Sequence, residues 1–139
     1  MNKDLLKKIK ENVEKEPYAR LFNIKIVELN QGSSVAEMKV LKKHENFFSI
    51  IHGGAIFSLV DVAFGSAANS YGTVAVALDI NINYIRPSFA GDILRAEAKE
   101  VSRGNTIATY DIIVKNNLNK IVASSQAVAY LKKEKLPFL

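Results

Sequence analysis

The 139-residue sequence contains no cysteine and no tryptophan, and it has only two histidines. Without cysteine there is no disulfide framework, no thiol nucleophile and no thiolate ligand for a metal. His44 and His52 alone are too few for a histidine-rich metal centre. The composition therefore favours chemistry that needs no metal and no cofactor.

Long apolar runs are also missing. Glycines and Asp61 interrupt the apolar stretch after Phe47, so no run of about 20 apolar residues is present to span a bilayer. Residues 1–15 mix acids and bases and lack the apolar centre of a secretory signal. We therefore expect a cytoplasmic protein that does not enter a membrane. The net charge of +5 comes mainly from lysines near the two ends, not interleaved with aromatics, which disfavours nucleic-acid binding.

The length and a hydrophobic content of 48% fit one domain over residues 1–139. Helical spacing of apolar residues predicts a short helix that Asn2 caps and Pro17 ends, and a long apolar helix from Gly54 to about Asn69. Alternating or β-branched runs predict strands at residues 24–29, 34–41, 73–84, 91–102, 106–115 and 120–131. This order predicts an α+β fold in which an antiparallel sheet of about five long strands curls around the long helix.

Asp61 is the only formally charged side chain from Phe47 to Leu78. An aspartate on a helix that is apolar all round is rare unless something there satisfies or needs it. One interpretation is a carboxylate that reaches solvent at a groove or pairs with a distant arginine such as Arg86. The other is a general base or nucleophile, because partial desolvation raises a carboxyl pKa and makes the anion more reactive.

The sequence His52-Gly53-Gly54 directly precedes this helix. Free backbone N–H groups at a helix N-terminus favour an anion or a developing oxyanion, and glycine lets a carbonyl approach closely. A simple loop-to-helix turn is the alternative interpretation. Gly53 and Asp61 are separated by roughly 12 Å along a helix axis, so a site that uses both requires two subunits. A dimer would also cover apolar residues on the outer sheet face.

The sequence resembles the hotdog-fold acyl-CoA thioesterases, and most closely their phenylacetate-degradation (PaaI-like) subgroup. The resemblance covers about residues 20 to 131 and lies in the segments NFFSIIHGGAIFSLVDVAFGSAANSYG, NYIRPSFAGDILRAEA and VSRGNTIATYDI. It implies a hotdog fold, in which a curved antiparallel sheet wraps a long central helix. It also implies side-by-side dimers that commonly pair into tetramers, and hydrolysis of acyl-CoA thioesters at the dimer interface.

The resemblance assigns catalytic roles to three residues. The backbone N–H of Gly53 would polarise the thioester carbonyl, Asp61 would be the nucleophile or the base that activates water, and Asn46 would help place substrate or water. A thiol of pKa about 8.5 leaves readily as thiolate, so one acid residue and an oxyanion site suffice. The chain departs from many relatives at Ser49, where they have glycine, and at Ala77, where they have a hydroxyl residue.

The resemblance also assigns residues to substrate binding. Arg86 before Pro87 and Arg103 before Gly104 match family positions that meet the phosphates or pantetheine of CoA, and the planar guanidinium suits phosphate. Surface arginines at strand ends also occur as structural or solvated residues, and aromatics near a buried helix also serve as core. The other candidates for lining the substrate site are His52, Gly54, Phe57 and Tyr71.

The resulting hypothesis is an acyl-CoA thioesterase that releases a free acid and CoA and assembles as a dimer or a dimer of dimers. The alternative is a non-catalytic acyl-CoA-binding hotdog protein, which would have no need for Asp61. A hotdog dehydratase would require a histidine base in the helix region, and His52 lies at the wrong place for it. Aromatic, short and medium acyl groups are all compatible with the sequence.

Overall fold

The computed structural model describes residues 2–139. Its helices are α1 (Lys3–Lys15), α2 (Pro17–Leu21) and α3 (Gly53–Ala68). Its strands are β1 (Lys25–Asn30), β2 (Ser33–Lys39), β3 (Thr73–Tyr84), β4 (Ile93–Arg103), β5 (Ile107–Lys115) and β6 (Ile121–Lys135). All six strands pair antiparallel in one sheet with the order β1-β2-β4-β5-β6-β3.

Helix α3 lies at the centre of this sheet and contacts all six strands. Leu59, Val60 and Ala63 are completely buried, and most other residues of the helix are buried as well. A helix that is apolar on nearly every side is stable only where the sheet surrounds it. The predicted α+β hotdog fold is confirmed. Among residues 2–139, no helix combines the length and the apolar character needed to cross a membrane.

Alanine is the most frequent residue on the buried face of the sheet. Small side chains allow the strands to approach the backbone of α3, so that the sheet can close tightly around it. Larger rings fill the remaining space, as where Phe64 of α3 meets Tyr110 of β5 edge-on at a centroid distance of 5.5 Å. The buried alanines of the strands are Ala36, Ala96, Ala98, Ala108, Ala123, Ala127 and Ala129.

The structure differs from the sequence-based prediction at several points. The first helix ends at Lys15, and Pro17 then begins α2 as its first residue, a position where proline is favoured because its missing N–H would be unpaired anyway. The second strand ends at Lys39 and is followed by a 3-10 turn at Lys42–His44. The sheet has six strands instead of about five. The predicted cap of the first helix is confirmed, because the side chain of Asn2 accepts a hydrogen bond from the Leu5 N–H.

The two edge strands of the sheet, β1 and β3, differ in how far other parts of the chain cover them. At β1, the Glu14 carboxylate of α1 accepts a hydrogen bond from the Ile26 N–H at 2.9 Å, so part of this edge is covered. At β3, the described residues pair only with β6, and Val76 and Leu78 are exposed. An open apolar edge strand is a template for pairing with another chain. The β3 edge is therefore open to pairing in the single chain.

The loop before α3 is held by Asn46. Its side-chain oxygen accepts a hydrogen bond from the Phe48 N–H at 2.9 Å, and its backbone N–H donates to the Ile50 carbonyl at 2.8 Å. Ser49 has a φ of 65°, in the left-handed region that glycine adopts more easily than other residues. The glycine expected there from the family resemblance thus matches a backbone conformation that Ser49 adopts with strain.

Candidate active site

The N-terminus of α3 presents one free backbone donor. His52 is the N-cap residue, and its Nδ1 atom accepts a hydrogen bond from the Gly54 N–H at 2.8 Å. The Ala55 N–H donates to the His52 carbonyl at 3.0 Å. Within residues 2–139, the Gly53 N–H makes no hydrogen bond. This N–H lies at the positive end of the helix dipole, where it can stabilise a carbonyl oxygen that gains negative charge.

Both glycines of the turn are closely packed against side chains. A Cβ atom on Gly53 would lie 3.0 Å from Cζ of Tyr84, and one on Gly54 would lie 3.1 Å from Nδ1 of His52. The Tyr84 hydroxyl also donates to the Gly53 carbonyl at 3.0 Å, and burial raises the pKa of Tyr84. Sequence reasoning missed Tyr84; the only available signal was an aromatic residue at the end of β3, two positions before Arg86.

Two backbone contacts fix the turn from either side. The Ile51 N–H donates to the Ser88 carbonyl and the His52 N–H donates to the His44 carbonyl, both at 2.8 Å. Nδ1 of His44 accepts from the Leu41 N–H at 2.9 Å, and burial, followed by the charge of Lys43, lowers the pKa of His44. A neutral His44 therefore stabilises the turn, a role that its position in the sequence did not reveal.

Asp61 projects into a groove of about 440 Å³ between α1, α3, β3 and the C-terminal residues. Its side chain is exposed in the single chain, and within residues 2–139 no cation pairs with it. Desolvation by the groove walls raises the pKa of Asp61. Most of the groove is apolar, formed by Ile9, Val13, Val62, Phe64, Ala75, Val76, Ala77, Leu136 and Phe138.

Glu16 brings a second carboxyl group to the same groove. It occupies the N-cap position of α2 but makes no side-chain capping bond. Its pKa is raised by burial and by the negative charge of Asp61. The Tyr18 hydroxyl lies 3.1 Å from the Ser58 Oγ, which holds α2 against α3. Sequence reasoning missed Glu16, because only the tertiary packing of α2 brings it near Asp61.

The glycine turn and Asp61 do not share this groove. Gly53 and His52 are absent from its walls, and eight residues of helix separate Gly53 from Asp61, roughly 12 Å along the axis. One thioester carbonyl cannot contact both groups in a single chain. The arrangement matches the expectation that a site using both residues requires a second subunit.

Arg86 does not pair with Asp61 in the structure. Its Nη1 atom donates to the Ile121 carbonyl at 2.7 Å, and the rest of its side chain is exposed along with Pro87. Phe57, one turn into α3, is half-buried. Arg86 therefore keeps donors available for a ligand, while the interpretation of Asp61 as its ion-pair partner finds no support here.

Tyr71 and Arg103 lie beyond the other end of α3, about 24 Å along the helix axis from Gly53. The Tyr71 hydroxyl donates to Glu100 at 2.9 Å, and the Arg103 guanidinium stacks 3.5 Å from the Tyr71 ring centroid. Gly104 forms a turn in which its N–H donates to the Ile107 carbonyl at 2.7 Å. These residues form an internal network, so their role in substrate binding stays a prediction.

Comparison with known proteins identifies the family of this chain. Residues 48–123 match the sequence pattern of the Thioesterase superfamily. A putative esterase of Archaeoglobus fulgidus is 43% identical over 84% of this chain and 76% of that protein. Acyl-coenzyme A thioesterase PaaI of Escherichia coli is 39% identical over 79% of each protein. The solved structure of E. coli PaaI superposes with a TM-score of 0.91 at 32% identity, covering 95% of this chain and 96% of that chain.

The chain thus belongs to the thioesterase superfamily and is a thioester hydrolase of the hotdog fold. Within that family it is PaaI-like, as the resemblance in its sequence predicted. A structure from Streptococcus mutans described as bound to acetyl CoA is also similar, with a TM-score of 0.78 at 30% identity over 82% of this chain and 92% of that chain.

The unpaired carboxylate of Asp61 should cost stability. Because its folded-state pKa is raised above the unfolded value, the charged form is less favourable in the folded protein, and the penalty grows as pH rises through the folded pKa. Asp61→Asn should therefore unfold at a higher temperature than wild type at pH 7. The difference should shrink as pH falls through the folded pKa, and it should be absent below the unfolded pKa of aspartate. Thermal unfolding across pH tests this; a variant less stable than wild type at pH 7 would contradict it.

Proposed function

We propose that the protein hydrolyses acyl-CoA thioesters to a free acid and CoA. The observation that carries the proposal is an unpaired, partly desolvated Asp61 in an apolar groove, in a fold that also presents the free Gly53 N–H. The PaaI relative is named an acyl-coenzyme A thioesterase, and the S. mutans neighbour holds acetyl CoA. A non-catalytic binder would gain nothing from a destabilising carboxylate at this position.

The active unit in this proposal is a homodimer formed along β3. Ala75, Val76 and Ala77 belong to the open edge strand and also line the groove of Asp61. A second copy paired at this edge would reach the groove directly. Its Gly53 turn could then face Asp61 of the first copy. Further pairing into a homotetramer and a cytoplasmic location remain predictions.

In the proposed reaction, the thioester carbonyl oxygen accepts a hydrogen bond from the Gly53 N–H of one subunit. Asp61 of the other subunit acts on the carbonyl carbon. Negative charge develops on the oxygen, and the positive end of α3 stabilises it. The CoA thiolate then leaves without a separate acid, since a thiol has a pKa of about 8.5. No metal or cofactor takes part in this scheme.

We favour direct attack by Asp61 over activation of water. No residue from Ala75 to Asp79 carries a hydroxyl group that could hold the attacking water. The other hydroxyls of the groove are engaged, because Tyr18 contacts Ser58 and Ser66 donates to the Val62 carbonyl. A carboxylate with few competing hydrogen bonds is available as a nucleophile.

Direct attack predicts a mixed anhydride on Asp61. In a single turnover in heavy-oxygen water, CoA should appear before the free acid, and opening of the anhydride at the aspartyl carbon should leave label in the Asp61 carboxylate. Rapid quenching and peptide mass spectrometry measure both. Simultaneous release of CoA and acid, with all label in the product acid, would contradict direct attack.

The remaining site residues fit a CoA-binding role at the glycine turn. Asn46 uses its side-chain oxygen within the loop, which leaves its amide NH₂ available to substrate. His52 and Gly54 shape the turn, and Phe57 lies one turn further along α3. Arg86 is the best-placed of the two arginines for a phosphate of CoA, because Arg103 is stacked on Tyr71.

A thiol-release assay over a panel of short, medium and aromatic acyl-CoAs tests the function. Wild type should hydrolyse part of the panel, and Asp61→Asn should lower kcat by about 10²–10⁴-fold because it removes the nucleophile or base. Asp111→Asn, at an exposed aspartate of β5, is the matched control and should retain the wild-type rate. An inactive wild type, or a fully active Asp61→Asn variant, would overturn the proposal.

The Gly53 N–H is tested in the same assay by a pair of substitutions. Gly53→Pro removes the N–H at the first position of α3, where proline fits the helix and the extended backbone of His52. Gly53→Ala keeps the N–H but brings the same Cβ atom close to Tyr84. The proline variant should lose about 10²–10³-fold in kcat relative to the alanine variant. Equal rates would contradict an oxyanion role for this N–H.

A further inference from the structure

The groove beside Asp61 carries negative charge without any compensating cation. Glu16 and Asp61 are its two acidic residues, and no lysine, arginine or histidine among residues 2–139 lines it. The remaining walls are mostly aliphatic and aromatic, together with the engaged polar groups of Tyr18, Ser66 and Asn69. The groove is therefore apolar and anionic at once, although the whole chain has a net charge of +5.

Glu16 has no structural task that accounts for its charge. It sits at an N-cap position, but its side chain makes no capping hydrogen bond. Pro17, the next residue, has no backbone N–H that could donate to the Glu16 carboxylate. It forms no ion pair within residues 2–139. The contact of Tyr18 with Ser58 keeps this segment against α3, so the Glu16 carboxyl stays at the groove.

We propose that Glu16 is a specificity residue that makes the acyl groove select uncharged acyl groups and reject acyl groups that end in a carboxylate. This inference rests on the proposed function, because it takes the groove beside Asp61 as the acyl site. It names a class of substrate: monocarboxylic acyl-CoAs, aliphatic or aromatic, are accepted, and dicarboxylic acyl-CoAs of equal length are excluded.

Two free-energy penalties oppose the entry of a terminal carboxylate into the groove. A terminal carboxylate loses hydration on entering an apolar groove, and no described cation replaces that hydration. The same carboxylate is repelled by Glu16 and by Asp61, and like charges a few ångströms apart in a partly buried site repel by far more than in water. A methyl or phenyl terminus meets neither penalty. Asp61 is needed for chemistry, so Glu16 is the charge that can be changed to alter selection.

The test compares kcat/KM for acyl-CoAs paired by length: pentanoyl with succinyl, hexanoyl with glutaryl, and heptanoyl with adipoyl. The neutral member of each pair should react faster in wild type. Glu16→Gln should lower the neutral-to-anionic ratio by about tenfold for the pair whose terminus reaches the residue, and Glu16→Lys should lower it further. Glu11→Gln makes the same charge change on an exposed residue of α1 outside the groove, and should leave the ratio unchanged.

Measurements of acyl-CoA binding test the role of Glu16 independently of the rate of hydrolysis. In an Asp61→Asn background, calorimetry should show that Glu16→Gln narrows the difference in Kd between heptanoyl-CoA and adipoyl-CoA. The role of Glu16 would be overturned if Glu16→Gln and Glu16→Lys left both the kcat/KM ratio and the Kd difference unchanged. The same holds if the reason is a cation from a partner subunit that neutralises the Glu16 carboxylate. A wild type that hydrolyses no acyl-CoA would instead overturn the proposed function, while the binding difference would still decide the charge selection.

Discussion

The burial of α3 inside the curled sheet is the constraint on which the rest of the structure depends. Six strands surround the helix, and their alanine-rich inner face lets them approach it closely. Such an enclosure leaves the helix two places for polar chemistry: its N-terminus, where the Gly53 N–H is free, and the single acidic side chain of Asp61 at the groove. The fold thus fixes the two groups rigidly, and holds them apart.

That separation connects the active site to the assembly. Because Gly53 and Asp61 are about 12 Å apart on one helix, a shared carbonyl demands a helix from each of two chains. Glu14 of α1 covers part of the β1 edge, whereas β3 is open in the single chain and also contributes a wall of the Asp61 groove. In this account the edge that joins two copies is the edge that completes the site, so assembly and catalysis depend on the same strand.

Local patterns in the sequence predicted the long helix and the strands, because the spacing of apolar residues indicates both. They also pointed to Asp61 and the glycine turn as candidate site residues, since Asp61 is the only charge in an apolar stretch and the glycines directly precede the helix. They did not predict Glu16, Tyr84 or His44, whose roles arise from contacts between segments distant in the chain. Pro17 was interpreted as a stop signal, although the residue also suits the start of α2. The pairing of β3 with β6 is also a long-range contact, which the hydrophobic periodicity and the composition of the sequence do not predict.

A mixed dimer tests most directly whether Asp61 of one chain works with Gly53 of the other. Chains carrying Asp61→Asn and chains carrying Gly53→Pro are co-expressed with different tags, and dimers that hold one of each are isolated. One of the two sites in such a dimer combines intact residues from both chains, so the account predicts about half of the wild-type rate. A mixed dimer no more active than either parent variant would contradict a site shared between subunits.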